Sequence, residues 1–288
     1  MTQSTVKKAY IDLPSGQQIH YRYVLPTSSA KSQPIIYLHK SASSSVSFEK
    51  LMSHYAVQGF AGYAPDMPGF GQSFDPTEED VKAIHEQGTK WFTDIFLTVF
   101  EKLGICNGAS SSSPPHIIGH HSGASLATQI AATNPQMLAS ICLVGATVIG
   151  YEERLAMKAL FLTTFNEPVP DGSHLLKTWE YLDNMGIGDD LALRQREVID
   201  HVRAWRGRNL IYGAVWDQDS EGLFKQVQCP VLVLCARDDV LWSHADNVKR
   251  VKPDAKFSSE IKGANFSLDL DVEGIVGEWD AFQDDLRT

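Results

Sequence analysis

Two hydrophobic patterns follow each other along the chain. At the start, apolar and polar positions alternate, and residues 6–13 and 18–25 are typical of two strands joined by a turn at residues 14–16. Further on, short apolar runs are separated by amphipathic stretches, as expected for strands buried on both faces of a parallel sheet. Strands of this second kind are predicted at residues 34–39, 61–64, 116–119, 140–144, 230–235 and 256–261. The order predicts an α/β fold with a mostly parallel, eight-stranded sheet flanked by helices.

Helical periodicity fills the intervals between the predicted strands. Amphipathic stretches predict helices over residues 46–58, 77–103, 122–133 and 272–282. The middle of the chain differs, because residues 147–222 have several helical segments rich in aromatic side chains and no strand pattern. We therefore predict one α/β core made of residues 1–146 and 223–288. Residues 147–222 would form a helical cap over the ligand-binding edge of the sheet.

Composition narrows the classes of partner. The 288 residues are 43% hydrophobic and 21% charged, which is ordinary for one large folded domain with an insertion. A formal net charge of −10 argues against binding to nucleic acid or to an anionic membrane. The first residues lack the apolar core of a signal peptide, and no apolar run approaches the roughly 18 residues that cross a membrane. We expect a cytoplasmic protein, monomeric or homodimeric, whose partner is a small-molecule substrate.

The four cysteines form no closely spaced pair of the kind that binds zinc. His39, His120 and His121 are the other candidates for metal ligands. Two adjacent histidines on one turn normally point apart, and no third ligand has suitable spacing. We therefore expect neither a metal ion nor a cofactor.

Three segments carry a resemblance to a known family. Residues 38–41 (LHKS) resemble the turn after the third strand of the α/β-hydrolase superfamily, and residues 66–73 (DMPGFGQS) resemble its loop after the fourth strand. Residues 119–123 (GHHSG) lie where that family has its nucleophile elbow. The order and spacing match along almost the whole chain. The resemblance implies an α/β-hydrolase fold of the capped branch that includes epoxide hydrolases and C–C hydrolases.

Steric crowding at an elbow predicts which side chain faces the pocket. A sharp strand-to-helix turn leaves room only for small residues two positions before and two positions after its centre. With His121 at the centre, these positions are Gly119 and Gly123. With Ser122 at the centre, the position two before would be the bulky His120. We therefore expect His121, and not a serine, at the elbow.

The resemblance also places the other members of the family's catalytic triad. It implies Asp239 at the position of the acid, after the seventh strand, and Asn265 at the position of the histidine. Asparagine cannot accept a proton, so this replacement implies loss of the serine mechanism. What would remain is the His121 imidazole, the Asp239 carboxylate and an oxyanion hole made by the backbone amides of Ser41 and Ser122.

Each of these side chains also has a plainer interpretation. Asp239 would orient His121 or accept a hydrogen bond from Asn265, or it would only cap a helix or lie in solvent. Asn265 would hold a substrate oxygen through its amide, or it would be an ordinary turn residue.

Three further residues are candidates for substrate binding. His39 would line the pocket floor, although a hydrogen-bonded core histidine is the favoured interpretation for it and for His120. Lys40 replaces the glycine of the family's turn and would direct a charge toward the pocket, with a solvated lysine as the favoured alternative. Trp242 and the aromatic residues of the cap are either core or walls of a pocket for a ring-bearing ligand.

Together these features predict an enzyme that binds a hydrophobic, oxygenated small molecule under the cap. His121 would act as base or acid in a lyase, isomerase or cyclase reaction, or in direct attack of water on an activated ester or lactone. A resemblance to microbial, often fungal, proteins with G-H-H-S/T-G elbows implies a role in secondary metabolism. A serine esterase or lactonase that uses Ser122 is one alternative. A catalytically silent ligand-binding member of the fold is the other.

Overall fold

Eight strands form one sheet in the computed structural model, which describes residues 5–26, 30–31, 33–106 and 113–287. In chain order the strands are β1 (Lys7–Asp12), β2 (Gln18–Val24), β3 (Ile35–Leu38), β4 (Gly62–Pro65), β5 (His116–His120), β6 (Ser140–Val144), β7 (Val231–Leu234) and β8 (Lys256–Ser258). Their order across the sheet is β1-β2-β4-β3-β5-β6-β7-β8. β2 runs antiparallel to both β1 and β4, and the other neighbouring pairs are parallel. The predicted sheet is confirmed.

Helices cover both faces of this sheet. In the described ranges they are α1 (Glu49–Val57), α2 (Glu78–Gln87), α3 (Thr89–Lys102), α4 (Ser122–Thr133), α5 (Tyr151–Phe161), α6 (Ser173–Asn184), α7 (Leu191–Arg203), α8 (Trp205–Asp217), α9 (Ser220–Gln226), α10 (Asp246–Val251), α11 (Ser267–Leu270) and α12 (Val272–Asp285). None of these helices has the length and apolar character needed to cross a membrane.

The central strands are buried at every position because helices lie on both sides of them. Ile36 and Leu38 of β3 pack into the core that includes residues of α3, α4 and α8. Ile35 and Tyr37 of the same strand point the other way, into the core that includes residues of α1 and α12. Alternate side chains of β3 therefore pack into two separate hydrophobic cores, one on each face of the sheet.

The stretch predicted as one helix over residues 77–103 is two helices. Thr77 begins α2, since its hydroxyl accepts from the amide of Asp80 while the Asp80 carboxylate accepts from the amide of Thr77. Gly88 then ends the helix with a φ of 60°, a conformation that costs glycine little and other residues more. The amphipathic pattern continues across this break, which is why periodicity alone did not reveal it.

Five helices, α5 to α9, lie between β6 and β7. The first four fall within residues 147–222, and α9 crosses the predicted boundary of the cap and packs against α4 beside the sheet. α8 also packs against α3 and α4. The helices of the insertion are thus continuous with the layer that covers one face of the sheet, and a separate cap remains a prediction.

Candidate active site

The turn between β5 and α4 has His121 at its centre. Its backbone has a φ of 45° and a ψ of −110°, and within the described ranges only Ala264 shares a positive φ among residues other than glycine. Such a conformation costs on the order of 1–3 kcal/mol and persists only where the surroundings enforce it. The amide of His121 donates to the carbonyl of Val144 across 2.9 Å, which fixes the turn to the end of β6.

Two glycines make this turn sterically possible. A Cβ atom on Gly119 would lie 2.5 Å from the carbonyl oxygen of Gly123. A Cβ atom on Gly123 would lie 2.0 Å from the carbonyl oxygen of Leu38 in the neighbouring strand. Both distances are far below van der Waals contact, so the backbone packing around His121 requires glycine at both positions.

The His121 ring forms a hydrogen bond with a carboxylate from another part of the chain. Nε2 of His121 lies 2.8 Å from Oδ2 of Asp239, which is in the turn after β7. The other oxygen, Oδ1, accepts from the amide of Leu241 at 2.8 Å. An ionised carboxylate only accepts, so Nε2 carries the proton. The hydrogen bonds of the described residues leave Nδ1 without a partner, and the ring lines the pocket.

A third glycine leaves space for the imidazole. Gly145 follows β6 with a φ of 62°. A Cβ atom there would lie 2.4 Å from Cδ2 and 2.5 Å from Nε2 of His121, and 3.2 Å from Oδ2 of Asp239. The His121–Asp239 contact therefore depends on the absence of a side chain at residue 145, which the sequence analysis did not single out.

The predicted oxyanion hole needs a correction. The backbone amide of Ser41 does not face an empty pocket, because it donates to Oγ of Ser122 across 2.7 Å. The hydroxyl of the residue after the elbow thus occupies the position where a substrate oxygen was expected. The amide of Ser122 belongs to the first residue of α4 and so has no acceptor within the helix.

Asn265 lies beside the acid without bonding to it. Its Oδ1 accepts from the amide of Val240 at 3.1 Å, and its Nδ2 lies 3.2 Å from Sδ of Met185. Ala264, with a φ of 46°, precedes it. Asn265 therefore braces the turn that carries Asp239, and it also lines the pocket. Of the two interactions expected for Asp239, the structure has the one with His121.

Comparisons with known proteins agree on the architecture. A family model described as alpha/beta hydrolase fold matches residues 33–173. Among solved structures, a hydrolase from Pseudomonas aeruginosa PA01 superposes with a TM-score of 0.73 at 15% identity, over 96% of this chain and 98% of the other. An enol-lactonase from Burkholderia xenovorans LB400 gives 0.74 at 15% identity, over 96% and 99%. The chain has the α/β-hydrolase fold.

A further structure with this fold is also similar. The epoxide hydrolase CorEH gives a TM-score of 0.70 at 15% identity, over 98% of this chain and all of the other. The search among curated proteins gave no match. At such low identities the likeness shows the α/β-hydrolase fold alone.

Lys40 is buried, which corrects the expectation of a solvated lysine. Only 4% of the residue is exposed, and its Nζ lies 3.6 Å from Oε2 of Glu197 on α7. The same ammonium lies 3.7 Å from the centre of the Phe266 ring. Burial lowers the pKa of Lys40, and the negative charge of Glu197 opposes that shift. The insertion covers this part of the α/β-hydrolase fold and supplies the charge that Lys40 faces.

Glu197 is the centre of a buried charged cluster. Its Oε1 accepts from Nη2 of Arg196 at 2.6 Å, and its Oε2 accepts from Oγ of Ser43 at 2.6 Å. Arg196 makes two further bonds to Asp269, at 2.8 and 2.9 Å. Burial alone would raise the pKa of Glu197, but Lys40 and Arg196 lower it to about 2. The cluster ties α7 to the loop after β3.

The remaining candidates lie outside the pocket lining. His39 is fully buried, with Nδ1 2.9 Å from the carbonyl of Lys40 and Nε2 accepting from the amide of Met67. Trp242 packs against Phe257, with ring centres 6.5 Å apart. His39 is thus the hydrogen-bonded core histidine that was favoured, and neither side chain reaches a ligand in the pocket.

His120 differs from the expectation of a hydrogen-bonded core residue. It is buried, and neither ring nitrogen has a hydrogen-bond partner among the described residues. Its ring meets that of His121 edge to face, with centres 4.7 Å apart. Burial, followed by the neighbouring His121, lowers the pKa of His120 and keeps the ring neutral.

A pocket that is partly open to solvent lies above His121. Lys40, Ser41, His121, Ser122 and Asn265 of the core line it with polar groups, and Thr147, Tyr181, His201 and Tyr212 add polar groups from the insertion. The apolar part of the wall comes from the insertion and from the turns after β7 and β8. The wall includes Met157, Phe161, Met185, Val215, Trp216, Leu241 and Phe266. In the described ranges, no group of three or more His, Cys, Asp or Glu side chains is arranged to hold a metal ion.

Proposed function

We propose that this α/β-hydrolase-fold protein is an enzyme in which His121 replaces the serine nucleophile and acts as a general base and acid. The substrate would be a hydrophobic, oxygenated small molecule. The observation that carries the proposal is the 2.8 Å hydrogen bond between Nε2 of His121 and Oδ2 of Asp239 beneath the pocket. This pair has the components of a catalytic base and the acid that orients it.

The tautomer of His121 determines which ring nitrogen can accept a proton. With the proton of Nε2 bonded to Asp239, the lone pair of Nδ1 is left to accept a proton from a bound substrate or from water. Asp239 stabilises the imidazolium that forms, and the ring returns the proton at a later step. General acid–base catalysis of this kind contributes on the order of 10²–10⁴ in rate, which suits substrates that already have an acidic proton or an activated carbonyl.

The acceptor for a serine proton is missing from its usual position. Asn265 has no basic nitrogen, and its amide oxygen already accepts from Val240. Ser122 accepts a hydrogen bond from Ser41, and among the described residues no side chain is bonded as its base. A serine esterase or lactonase through Ser122 is therefore the less favoured alternative, and a silent ligand-binding protein is the other.

The substrate class rests on the pocket and, more weakly, on the comparisons. Apolar side chains of the insertion line the pocket beside polar groups that come from both the core and the insertion. Similar structures include an enol-lactonase and an epoxide hydrolase, both named for reactions of oxygen-containing compounds. We propose a lyase, isomerase or cyclase step, or attack of water on an activated ester or lactone, under a cap formed by residues 147–222.

Two assays on the purified protein test this function. The first follows deuterium uptake from D₂O at the carbons beside the carbonyl of 2-tetralone by NMR, and the second follows hydrolysis of γ-phenyl-γ-butyrolactone. His121→Ala should reduce any activity by about 10²–10⁴. His85→Ala, which removes an exposed histidine of α2, is the matched control and should leave it unchanged. No activity of the wild type in either assay would contradict the proposal.

Labelling with a fluorophosphonate separates His121 chemistry from serine chemistry. We expect no adduct on Ser122 by intact-protein and peptide mass spectrometry, under conditions that label a serine hydrolase fully. A stoichiometric adduct on Ser122 would replace the proposal with the serine mechanism.

A further inference from the structure

An ammonium group with unused hydrogen-bond donors lies at the floor of the pocket. Lys40 lines the pocket together with His121, and only 5% of its side chain is exposed. Its nearest charged neighbour, Oε2 of Glu197, lies 3.6 Å away, beyond hydrogen-bonding distance. Within the described ranges no other atom accepts a hydrogen bond from Nζ, and the Phe266 ring offers only a cation–π contact.

The Glu197 carboxylate lies close to Lys40 but is hydrogen-bonded to other groups. One of its oxygens accepts from Arg196 and the other from Ser43, each at 2.6 Å. Arg196 is in turn held by both oxygens of Asp269. The cluster has two cations, Lys40 and Arg196, and two anions, Glu197 and Asp269, so its charges balance. The hydrogen bonds to Glu197, however, come from Arg196 and Ser43. Lys40 is electrostatically paired and still has N–H groups to donate.

A backbone donor that would otherwise serve the same pocket is occupied. The amide of Ser41, the residue next to Lys40, donates to Oγ of Ser122. Beside the amide of Ser122, the pocket therefore offers the charged donor of Lys40. A buried ammonium with unfilled donors favours an anionic oxygen, because a charged acceptor compensates it better than water or a neutral carbonyl does.

We propose that Lys40 is the recognition site for a carboxylate and that the substrate is a small acid with an apolar body. The carboxylate would accept hydrogen bonds from Nζ at the floor, while the apolar wall from the insertion covers the remainder of the molecule. This inference rests on the proposed function only in taking this pocket as the place where substrate binds. It assigns to Lys40 a role in binding and orientation, separate from the proton transfer assigned to His121.

The test compares acids with their neutral amides. Phenylacetate, 3-phenylpropanoate and 4-phenylbutanoate are titrated into the full-length protein by calorimetry, each beside its amide. We expect at least one acid to bind about tenfold or more tightly than its amide, a difference of about 1.4 kcal/mol. The preference should disappear in Lys40→Met, which keeps the length of the side chain. It should persist in Lys90→Met, the same change at an exposed lysine of α3.

A second measurement needs no variant. Reductive methylation followed by peptide mass spectrometry should modify Lys40 more slowly with 3-phenylpropanoate present than with the amide present, while modification of Lys90 stays the same. Equal affinities for acid and amide in all three pairs, or a preference that survives in Lys40→Met, would overturn the proposal. Binding requires no turnover, so His121→Asn should lose activity and still bind the acid more tightly than the amide. Failure of the carboxylate proposal for Lys40 is therefore distinguishable from failure of the catalytic proposal for His121.

Discussion

Nε2 of His121 and Oδ2 of Asp239 lie 2.8 Å apart although 118 positions separate the two residues in the sequence. The imidazole begins at the elbow, where this fold usually has its nucleophile, and reaches the carboxylate after β7, which usually orients a histidine from another turn. One side chain therefore occupies the centre of the turn after β5 and also bonds to the carboxylate predicted as the triad acid. In the proposed mechanism the histidine–carboxylate pair is retained without the nucleophile that such a pair normally activates.

Replacing the acid by its amide tests whether Asp239 fixes the tautomer of His121. An amide at residue 239 can donate to Nε2, which moves the ring proton to Nδ1 and removes the lone pair assigned to proton transfer. We expect Asp239→Asn to lower deuterium exchange into 2-tetralone by about 10²–10⁴. Asp238→Asn changes the adjacent, exposed carboxylate, which accepts from the amide of Ala264, and keeps an oxygen for that bond, so it should retain wild-type exchange. Equal rates in the two variants would show that Asp239 does not act on the proton.

Gly145→Ala should displace the His121 ring without removing any charged group. The new methyl group would lie 2.4 Å from Cδ2 of His121, and residue 145 has a φ of 62°. Gly172→Ala is the matched control, since its φ is 72° and no heavy atom lies within 4 Å of the new Cβ. Both variants should lose about 1 kcal/mol of unfolding free energy from the backbone conformation.

Activity separates the two alanine variants. Misplacing a reacting group by about 1 Å costs on the order of 10²-fold in rate, so Gly145→Ala should lose most exchange activity. Gly172→Ala should retain it. Urea unfolding and the 2-tetralone assay measure the two quantities, and comparable activity in both variants would contradict the role given to Gly145.

Local sequence rules predicted the parts of the site that depend on local sterics. The spacing of Gly119 and Gly123 identified His121 as the centre of the turn, and the clashes of their added Cβ atoms supply the physical reason. The short apolar runs likewise predicted the sheet, because strands buried on both faces need apolar residues at every position. Gly145 was missed since its neighbour, the His121 ring, reaches it only through the folded turn.

Long-range pairing explains what the sequence did not predict. Lys40 was expected in solvent because its counter-charge, Glu197, comes from a helix more than 150 residues further along the chain. A signal was present on α7, whose buried positions Leu193, Glu197 and His201 recur every four residues. Two ionisable residues on an otherwise apolar helical face indicate a buried partner, although the sequence does not say which one.

The charged cluster should contribute strongly to stability. Glu197 is fully buried, and Glu197→Gln leaves the Lys40 ammonium without its counter-charge. Breaking a buried pair in this way costs about 3–5 kcal/mol of unfolding free energy. The exposed pair of Glu78 and Arg206 is the control, because Glu78→Gln should cost about 1 kcal/mol or less. Urea unfolding of both variants measures the difference. Similar losses of unfolding free energy would show that the buried cluster stabilises the protein no more than an exposed ion pair does.

Asp200 should make stability depend on pH in a specific direction. Burial, helped by the negative charge of Glu197, raises the pKa of Asp200 to about 7 although Oγ of Ser44 donates to it. Between about pH 4 and pH 7 the folded chain therefore holds a proton that the unfolded chain releases. Stability from this group is complete at low pH and is lost as the pH rises through the folded pKa of about 7.

Asp200→Asn removes this titration and keeps the hydrogen-bonding shape. The measured quantity is the difference in unfolding free energy, wild type minus variant. This difference should fall from pH 5 to pH 7.5. It should then level off, because above that pH Asp200 is ionised in both the folded and the unfolded wild type. Urea unfolding at half-unit pH intervals gives this difference, in which the groups common to both proteins cancel. Asp189→Asn, at an exposed position, should give a difference that does not change with pH. The same flat profile for Asp200→Asn would mean that Asp200 is ionised in the folded protein throughout this range.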